Sequence, residues 1–263
     1  MRRPSAVLFF ALCLALPLAM MVWVAPGGGI QVLPMSRPFL PPGAAHPFGT
    51  DDLGRDMFLA VAQGARTSVT VGVVALSVAT VLGLVVGLVA GLGPATADEA
   101  LMRATDVVAS LPTLLIAVLA AGFFGGGGML VAVVLGLTRW TLIARLVRAE
   151  ATTLSRREFY RAAVAMGCGP LRLAVVHVLP HVAAVVAPAA SLVFGGAVLA
   201  EATLAFVGLG DPGRTSWGRL IAAGYGYVDD AWWMWAFPVA AICLTTTLVA
   251  LTGDAIGRPE TDR

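Results

Sequence analysis

Lysine is missing from this chain: all seventeen basic side chains are arginine. A Walker A phosphate loop needs a lysine to reach the β and γ phosphates of ATP. The sequence therefore excludes a P-loop ATP site, and any hydrolysis of that kind must come from a partner. Charge of either sign is also scarce. Only 12% of residues are charged, against about 25% in a soluble globular domain, and mean hydropathy is +0.89. Such a chain belongs in a membrane. Cysteine is limited to Cys13, Cys168 and Cys243, far apart and without paired ligand spacing, which excludes a disulfide framework and a cysteine zinc site.

Catalytic patterns are lacking too. There is no Gly-x-Ser-x-Gly elbow, and no histidine falls inside an apolar run to serve an intramembrane serine nucleophile. His177 and His181 are four apart, but they flank Pro180 and lack the glutamate of a zinc-protease helix. His46 stands alone. The expectation is a chain with no catalytic, cofactor-binding or metal-binding residues, and nothing points to nucleic acid.

What is present is a series of apolar windows. Ala6 to Ala25 follows a basic start and is about as long as a spanning helix, roughly 20 residues. It lacks a good cleavage site and reads as an uncleaved first span rather than a signal peptide. Further spans are expected at Val69–Ala90, Val107–Phe124, Met129 to about Leu146, within Val182–Leu209, and at Trp232–Leu251. Gly125 to Gly128 form a tight hairpin between the third and fourth.

With a cytoplasmic N-terminus, twelve arginines fall inside (2, 3, 103, 139, 145, 148, 156, 157, 161, 172, 258, 263) and five outside (37, 55, 66, 214, 219). That satisfies the positive-inside bias. The expected fold is an all-α integral membrane protein of six transmembrane helices, N-in and C-in. Residues 1–66 would hold the first helix and an outer segment, 67–258 the remaining transmembrane domain, and 259–263 a cytoplasmic tail.

Within the second span, Gly83, Gly87 and Gly91 recur every four residues and give one helix face that a neighbouring backbone can approach closely. Before it, "HPFGTDDLGRDMF" brings together Asp51, Asp52, Arg55 and Asp56. An ion-pair and helix-capping cluster at the membrane surface explains these better than an acidic metal site, since no further ligand stands at useful spacing.

A cytoplasmic loop of about 147–181, between spans four and five, carries the strongest signal. Arg145 to Met166 is free of Gly and Pro, Gly167 offers the left-handed turn that ends a helix, and Pro170 suits the start of another. Phe159, Ala162, Ala163 and Met166 fall on one helix side, flanked by arginines. The residues alone leave two readings: a helix that inserts into a groove of another protein, or one that lies on anionic lipid.

The loop resembles the EAA loop of ABC importer membrane subunits. That pattern is Glu-Ala-Ala, three residues, Gly, nine residues, an apolar position, one residue, Leu-Pro. Here it reads Arg161-Ala162-Ala163, Gly167, His177, Leu179-Pro180, with Arg161 in place of the glutamate and His177 in place of the isoleucine. "ARLVRAE", "ATLAFVGLGDPGRTSWGRLI", "WWMWAFP" and "GDAIGR" resemble the second permease subunit of dipeptide, oligopeptide and nickel importers, over about His46 to Arg258.

The resemblance implies a permease subunit that pairs with a second homologous permease, binds two ATPase subunits carrying ATP and Mg, and receives solute from an extracytoplasmic binding protein. In that role Ala162 and Ala163 permit close docking, Gly167 makes the turn, and Pro180 starts the element leading into the fifth span. Peptide is the first expected substrate and nickel the alternative. A secondary transporter would require two similar halves, and no such repeat is visible.

Charged groups within spans cost roughly 2.5–3.5 kcal/mol at midplane on insertion scales, which singles out Glu201 and Arg139. Glu201 suits either a hydrogen-bonded brace between helices or a place in the pathway. Arg139 suits either snorkelling towards the cytoplasmic surface or a place in the pathway, holding a peptide carboxylate. In the outer loop after the fifth span, Asp211, Arg214, Trp217 and Arg219 face outward partners, or Trp217, Tyr225, Tyr227, Trp232 and Trp233 anchor the interface.

Overall fold

The computed structural model describes residues 36–257. The expected first span, Ala6–Ala25, and the tail 259–263 lie outside the described residues. Eight helices make up the described part. They are α1 (Met57–Leu92), α2 (Ala95–Ser110), α3 (Thr113–Phe124), α4 (Gly128–Ser155), α5 (Glu158–Ala165), α6 (Pro170–Phe206), α7 (Trp217–Tyr225) and α8 (Trp233–Gly257).

Four of these helices, α1, α4, α6 and α8, are long and apolar enough to span a membrane, and α2 with α3 forms a bent pair that passes the same test. The family of spans is therefore four or five among the described residues. The expected single span Val107–Phe124 is corrected: α2 and α3 meet at an angle of 73°. Pro112 explains the break. It has no N–H to donate, and it drives the residue before it out of the helical region; Leu111 sits at φ −79°, ψ 132°.

The second span is also longer than its apolar core suggests. α1 begins at Met57, twelve residues before Val69, because Asp56 caps it by accepting from the backbone N–H groups of Phe58 and Leu59. Apolar windows find the part of a helix that lipid or core requires, whereas a cap sets where the helix begins.

The glycine face of α1 lies against α4 in register. A Cβ at Gly83 would stand 2.6 Å from Ile143, at Gly87 2.5 Å from Val147, and at Gly91 2.8 Å from Ala151. Both helices step by four residues, so the three contacts form one ladder. Gly136 on α4 returns the arrangement, its absent Cβ falling 2.6 Å from Val78. Lipid tails supply no hydrophobic drive between helices, and close backbone approach through small residues is what holds such a pair.

Three buried clusters follow along the bundle. Met57, Trp217, Trp233 and Met234 mark the end near α7, Val71, Leu135 and Leu204 the middle, and Ile143, Val147, Val178 and Val182 the end near α5. By contrast, α8 is mostly unburied and α3 exposes Leu115, Leu119, Phe123 and Phe124. These faces are free for lipid or another subunit.

The segment before α1 is folded rather than loose. Thr50 donates its hydroxyl to the Arg37 carbonyl at 2.8 Å, and its own carbonyl accepts from Trp233 Nε1 at 2.9 Å. Gly49 and Gly54 both take positive φ. As expected, the acidic residues serve local ion pairs and a cap: Arg55 Nε donates to Asp51 at 2.6 Å, and His46 Nδ1 stands 2.7 Å from Asp56.

Burial pushes the Asp56 carboxyl up, but the hydrogen bonds from His46 and from the Leu59 and Phe58 amides outweigh it and hold it below 3.8. A carboxyl lowered on folding contributes stability above its unfolded value, and loses it as pH falls through the folded one. Thermal melting of the purified protein should therefore weaken below about pH 4. Asp56→Asn should flatten this acid limb, and an unchanged limb would show that the cap has no part in it.

Candidate coupling surface and buried polar sites

The segment Ser155–Pro180 folds as a helix, a turn and a second helix. α4 runs on to Ser155 and breaks at Arg156 and Arg157, the latter in extended backbone as the N-cap of α5. This break is not marked by Gly or Pro and was not visible in the sequence. Gly167 has φ +82°, the left-handed conformation expected of it. Pro170 opens α6, where its missing N–H has no helical partner to lose.

α6 is a single helical run from Pro170 to Phe206, but residues Leu173–Val178 form a π segment, and the α-helical part resumes at Leu179. Pro180 lies in the first turn of that part. The proline removes one N–H from the ladder and would crowd the carbonyl four residues earlier; the wider π turn just before it relieves both. His177 lies within the π segment, half-buried, and its carbonyl accepts from His181 Nδ1 at 2.9 Å.

On α5 the candidate residues divide between two faces. Phe159, Arg161, Ala162 and Met166 are exposed, Met166 at 78%, whereas Ala163 is 1% exposed. The four residues read as one contact face are thus split: Ala163 turns into the subunit, towards the π segment and the end of α4 on which α5 rests, and Phe159, Ala162 and Met166 remain outward. Phe159 is fixed by stacking on the His181 ring, with centroids 5.7 Å apart. The outward face is a small apolar patch rimmed by the exposed Arg156, Arg157 and Arg161.

At the opposite end, Glu201 is 4% exposed. Ser68 on α1 donates its hydroxyl to Glu201 Oε2 at 3.0 Å and accepts from the Trp217 backbone N–H at 3.2 Å, and Ser216 also hydrogen-bonds the carboxyl. Three elements, α1, α6 and the start of α7, meet on one carboxyl group. This is the geometry of a brace between helices.

Trp217 and Trp233, read as interfacial anchors, are instead internal, at 2% and 6% exposure. Trp217 Nε1 donates to the Val61 carbonyl at 2.9 Å, and Trp233 to that of Thr50. Indole N–H groups find partners when buried, and these two tie the outer segment and α7 to the bundle. Tyr225 and Trp232 stay exposed. Arg219 donates to the carbonyls of Asp211, Pro212 and Arg214, so it shapes the loop before α7.

The Arg139 guanidinium crosses to α6 and lies over Gly196, where an added Cβ would fall 2.2 Å from Nη1. Nearer the α5 end, Arg148 makes two bonds to Asp98 at 2.5 and 2.6 Å, and Arg145 one to Asp106 at 2.8 Å. Those two pairs hold α2 to α4. Neither was anticipated from the sequence, because the partners are 39 and 50 residues apart.

Comparison with known proteins agrees with this architecture. Residues 83–258 match the family model described as "Binding-protein-dependent transport system inner membrane component". A putative peptide transport system permease protein of Brucella suis is 34% identical over 97% of this chain and 87% of its own length. The probable D,D-dipeptide transport system permease protein DdpC of Escherichia coli is 34% identical over 94% and 84%. Among solved structures, a chain of the inward facing MetNI methionine ABC transporter covers 77% of this chain and 96% of its own, with a TM-score of 0.64 at 20% identity. The chain belongs to the family of binding-protein-dependent transport system inner membrane components, as a multi-pass permease subunit of the prokaryotic inner membrane.

Proposed function

We propose that this chain forms half of the translocation pathway of an ATP-driven importer of di- or oligopeptides. It does so with six spans, both termini in the cytoplasm, and α5 as the coupling helix. The observation that carries the reading is the exposed face of α5: Phe159, Ala162 and Met166, rimmed by arginines and followed by the left-handed turn at Gly167. Relatives named for peptide and D,D-dipeptide transport support the substrate class.

A short helix with a small apolar patch fits a groove in a partner ATPase subunit. Closure of two such ATPases around ATP and Mg would press on α5, and α5 rests on the π segment at the base of α6 and on the end of α4. Displacement of α5 therefore reaches two spanning helices directly, and the spans rock between outward-open and inward-open states. An extracytoplasmic binding protein delivers the solute, and a second homologous permease completes the pathway. The ordering of charges supports the orientation: α5 and its arginines lie on the side that the positive-inside bias assigns to the cytoplasm.

Ala162→Glu tests this reading. It places a charge on the outward face and leaves the buried Ala163 untouched. Co-expressed with its neighbouring genes and purified in mild detergent, the wild-type chain should carry ATPase subunits with it, and Ala162→Glu should lose them or uncouple hydrolysis from uptake, lowering dialanine uptake by about tenfold or more, the effect of burying an unpaired charge. A wild-type chain that purifies without any ATPase, or an Ala162→Glu chain with full uptake, would refute it.

A further inference from the structure

Resting on the reading above, we propose that Arg139 is the substrate-recognition group of a membrane-embedded cavity and takes the carboxylate of the transported solute. The cavity, of about 310 Å³, lies at the break between α2 and α3. Val108 and Leu111 come from one side of the break and Thr113 from the other; Thr138 and Arg139 come from α4 and Leu192 from α6.

Three features point to an anion. Arg139 makes no hydrogen bond or ion pair to any described residue, and its Nε is buried without a partner. An arginine inside a span is costly unless something answers its charge. Glu201, the acidic group in the neighbouring span, is already engaged by Ser68 and Ser216. The start of α3 has no side-chain cap, so its first backbone N–H groups await an acceptor, and Thr113 of that first turn lines the same cavity. Non-helical backbone at membrane depth is tolerated where it borders a polar cavity, and the 73° break at Leu111-Pro112 has this setting.

Glycine at 196 completes the site. No larger residue leaves room for the guanidinium, whose Nη1 and Cζ would stand 2.2 and 3.0 Å from an added Cβ there, and Arg139 itself lines the cavity. A carboxylate is the anion a planar guanidinium recognises with two parallel bonds, and every peptide with a free C-terminus supplies one. Thr113 and Thr138 belong to the same lining, and the Thr138 hydroxyl, which donates to the Val134 and Leu135 carbonyls, keeps a lone pair to accept from the rest of the solute.

The test uses the complete importer in proteoliposomes, with Cys13, Cys168 and Cys243 changed to serine and Thr138→Cys added. Labelling rates are measured with two methanethiosulfonate reagents of similar size, one anionic and one cationic. Uptake of labelled dialanine is followed in matching vesicles that retain Thr138. Arg139→Gln should lower the anionic-to-cationic rate ratio about fivefold, as loss of one nearby charge requires, and dialanine uptake about tenfold, as loss of a charge-assisted bond requires. Gly196→Ala, which displaces the guanidinium but keeps its charge, should reduce dialanine uptake in the same direction.

ATPase co-purification and melting should be unchanged or improved in Arg139→Gln, since an unanswered charge is removed. An unchanged rate ratio overturns the anion site. A lowered ratio with full dialanine uptake overturns the solute assignment and leaves an anionic lipid headgroup as the ligand, seen as a ratio that varies with the anionic lipid content of the vesicles. Lower melting with loss of the partner permease makes Arg139 a strut between subunits and also overturns it. Wild-type vesicles that import no dialanine while the ratio still responds would sink the peptide reading itself, and the carboxylate assignment with it.

Discussion

Gly87→Leu is expected to destabilise the subunit by about 3 kcal/mol or more, at the upper end of what overpacking costs. The Cβ alone would stand 2.5 Å from the Val147 side chain and 2.6 Å from the Ala144 carbonyl oxygen. Neither neighbour can give way: Val147 is fully buried among Ile143, Val182 and Val186, and the carbonyl belongs to the ladder of α4. Moving α4 outward would also open the contacts at Gly83 and Gly91, because the three share one register. Gly122→Leu is the control, since nothing lies within 4 Å of its Cβ position. Fluorescence-detected size exclusion after heating should show an early loss of the monodisperse peak for Gly87→Leu alone. Equal survival of the two variants would mean that the glycine ladder does not set the α1–α4 approach.

Glu201→Leu should be the second large effect. Leucine fills a similar volume but leaves the Ser68 and Ser216 hydroxyls without their shared acceptor at a site where water is excluded. A buried donor stripped of its partner costs about 1–3 kcal/mol, and here there are two. Glu201→Gln retains a carbonyl oxygen for Ser68 and should be tolerated far better. The affected element is α7, because the Trp217 amide reaches Glu201 through Ser68. Hydrogen exchange at the amides of 217–225 should rise sharply in the leucine variant and little in the glutamine one. If both variants exchange like the wild type, Glu201 is not the brace of α7.

These two sites differ in how much of them is readable without a structure. The four-residue spacing of Gly83, Gly87 and Gly91 already marks a face built for close approach, since helical periodicity alone places the three on one side. The spacing does not name the partner. That α4 fills the role, with Ile143, Val147 and Ala151 in matched register, is a non-local fact. Likewise a glutamate in an apolar run announces a buried polar network, but Ser68 lies 133 residues away.

Sequence by itself determined the membrane class, through the dearth of charge and the length of the apolar runs, and it determined the turn at Gly167 and the helix start at Pro170, where one residue's backbone preference settles the local geometry. It also marked the segment proposed for coupling, whose motif is contiguous. Tertiary structure decided the rest. Pro112 marks a break in the helix, and the tertiary structure gives that break its angle of 73° and joins α2 to α4 through Asp98–Arg148 and Asp106–Arg145. Ala162 and Ala163 are adjacent and chemically identical, yet one faces outward and the other inward because α5 rests on α4 and α6. Trp217 and Trp233 look like interfacial anchors by type and become internal ties through the Val61 and Thr50 carbonyls. Arg139 has the length to reach the membrane surface, and it turns inward because Gly196 on another helix leaves space for it. In each case the local preference allows two outcomes, and contacts with residues distant in the chain select between them.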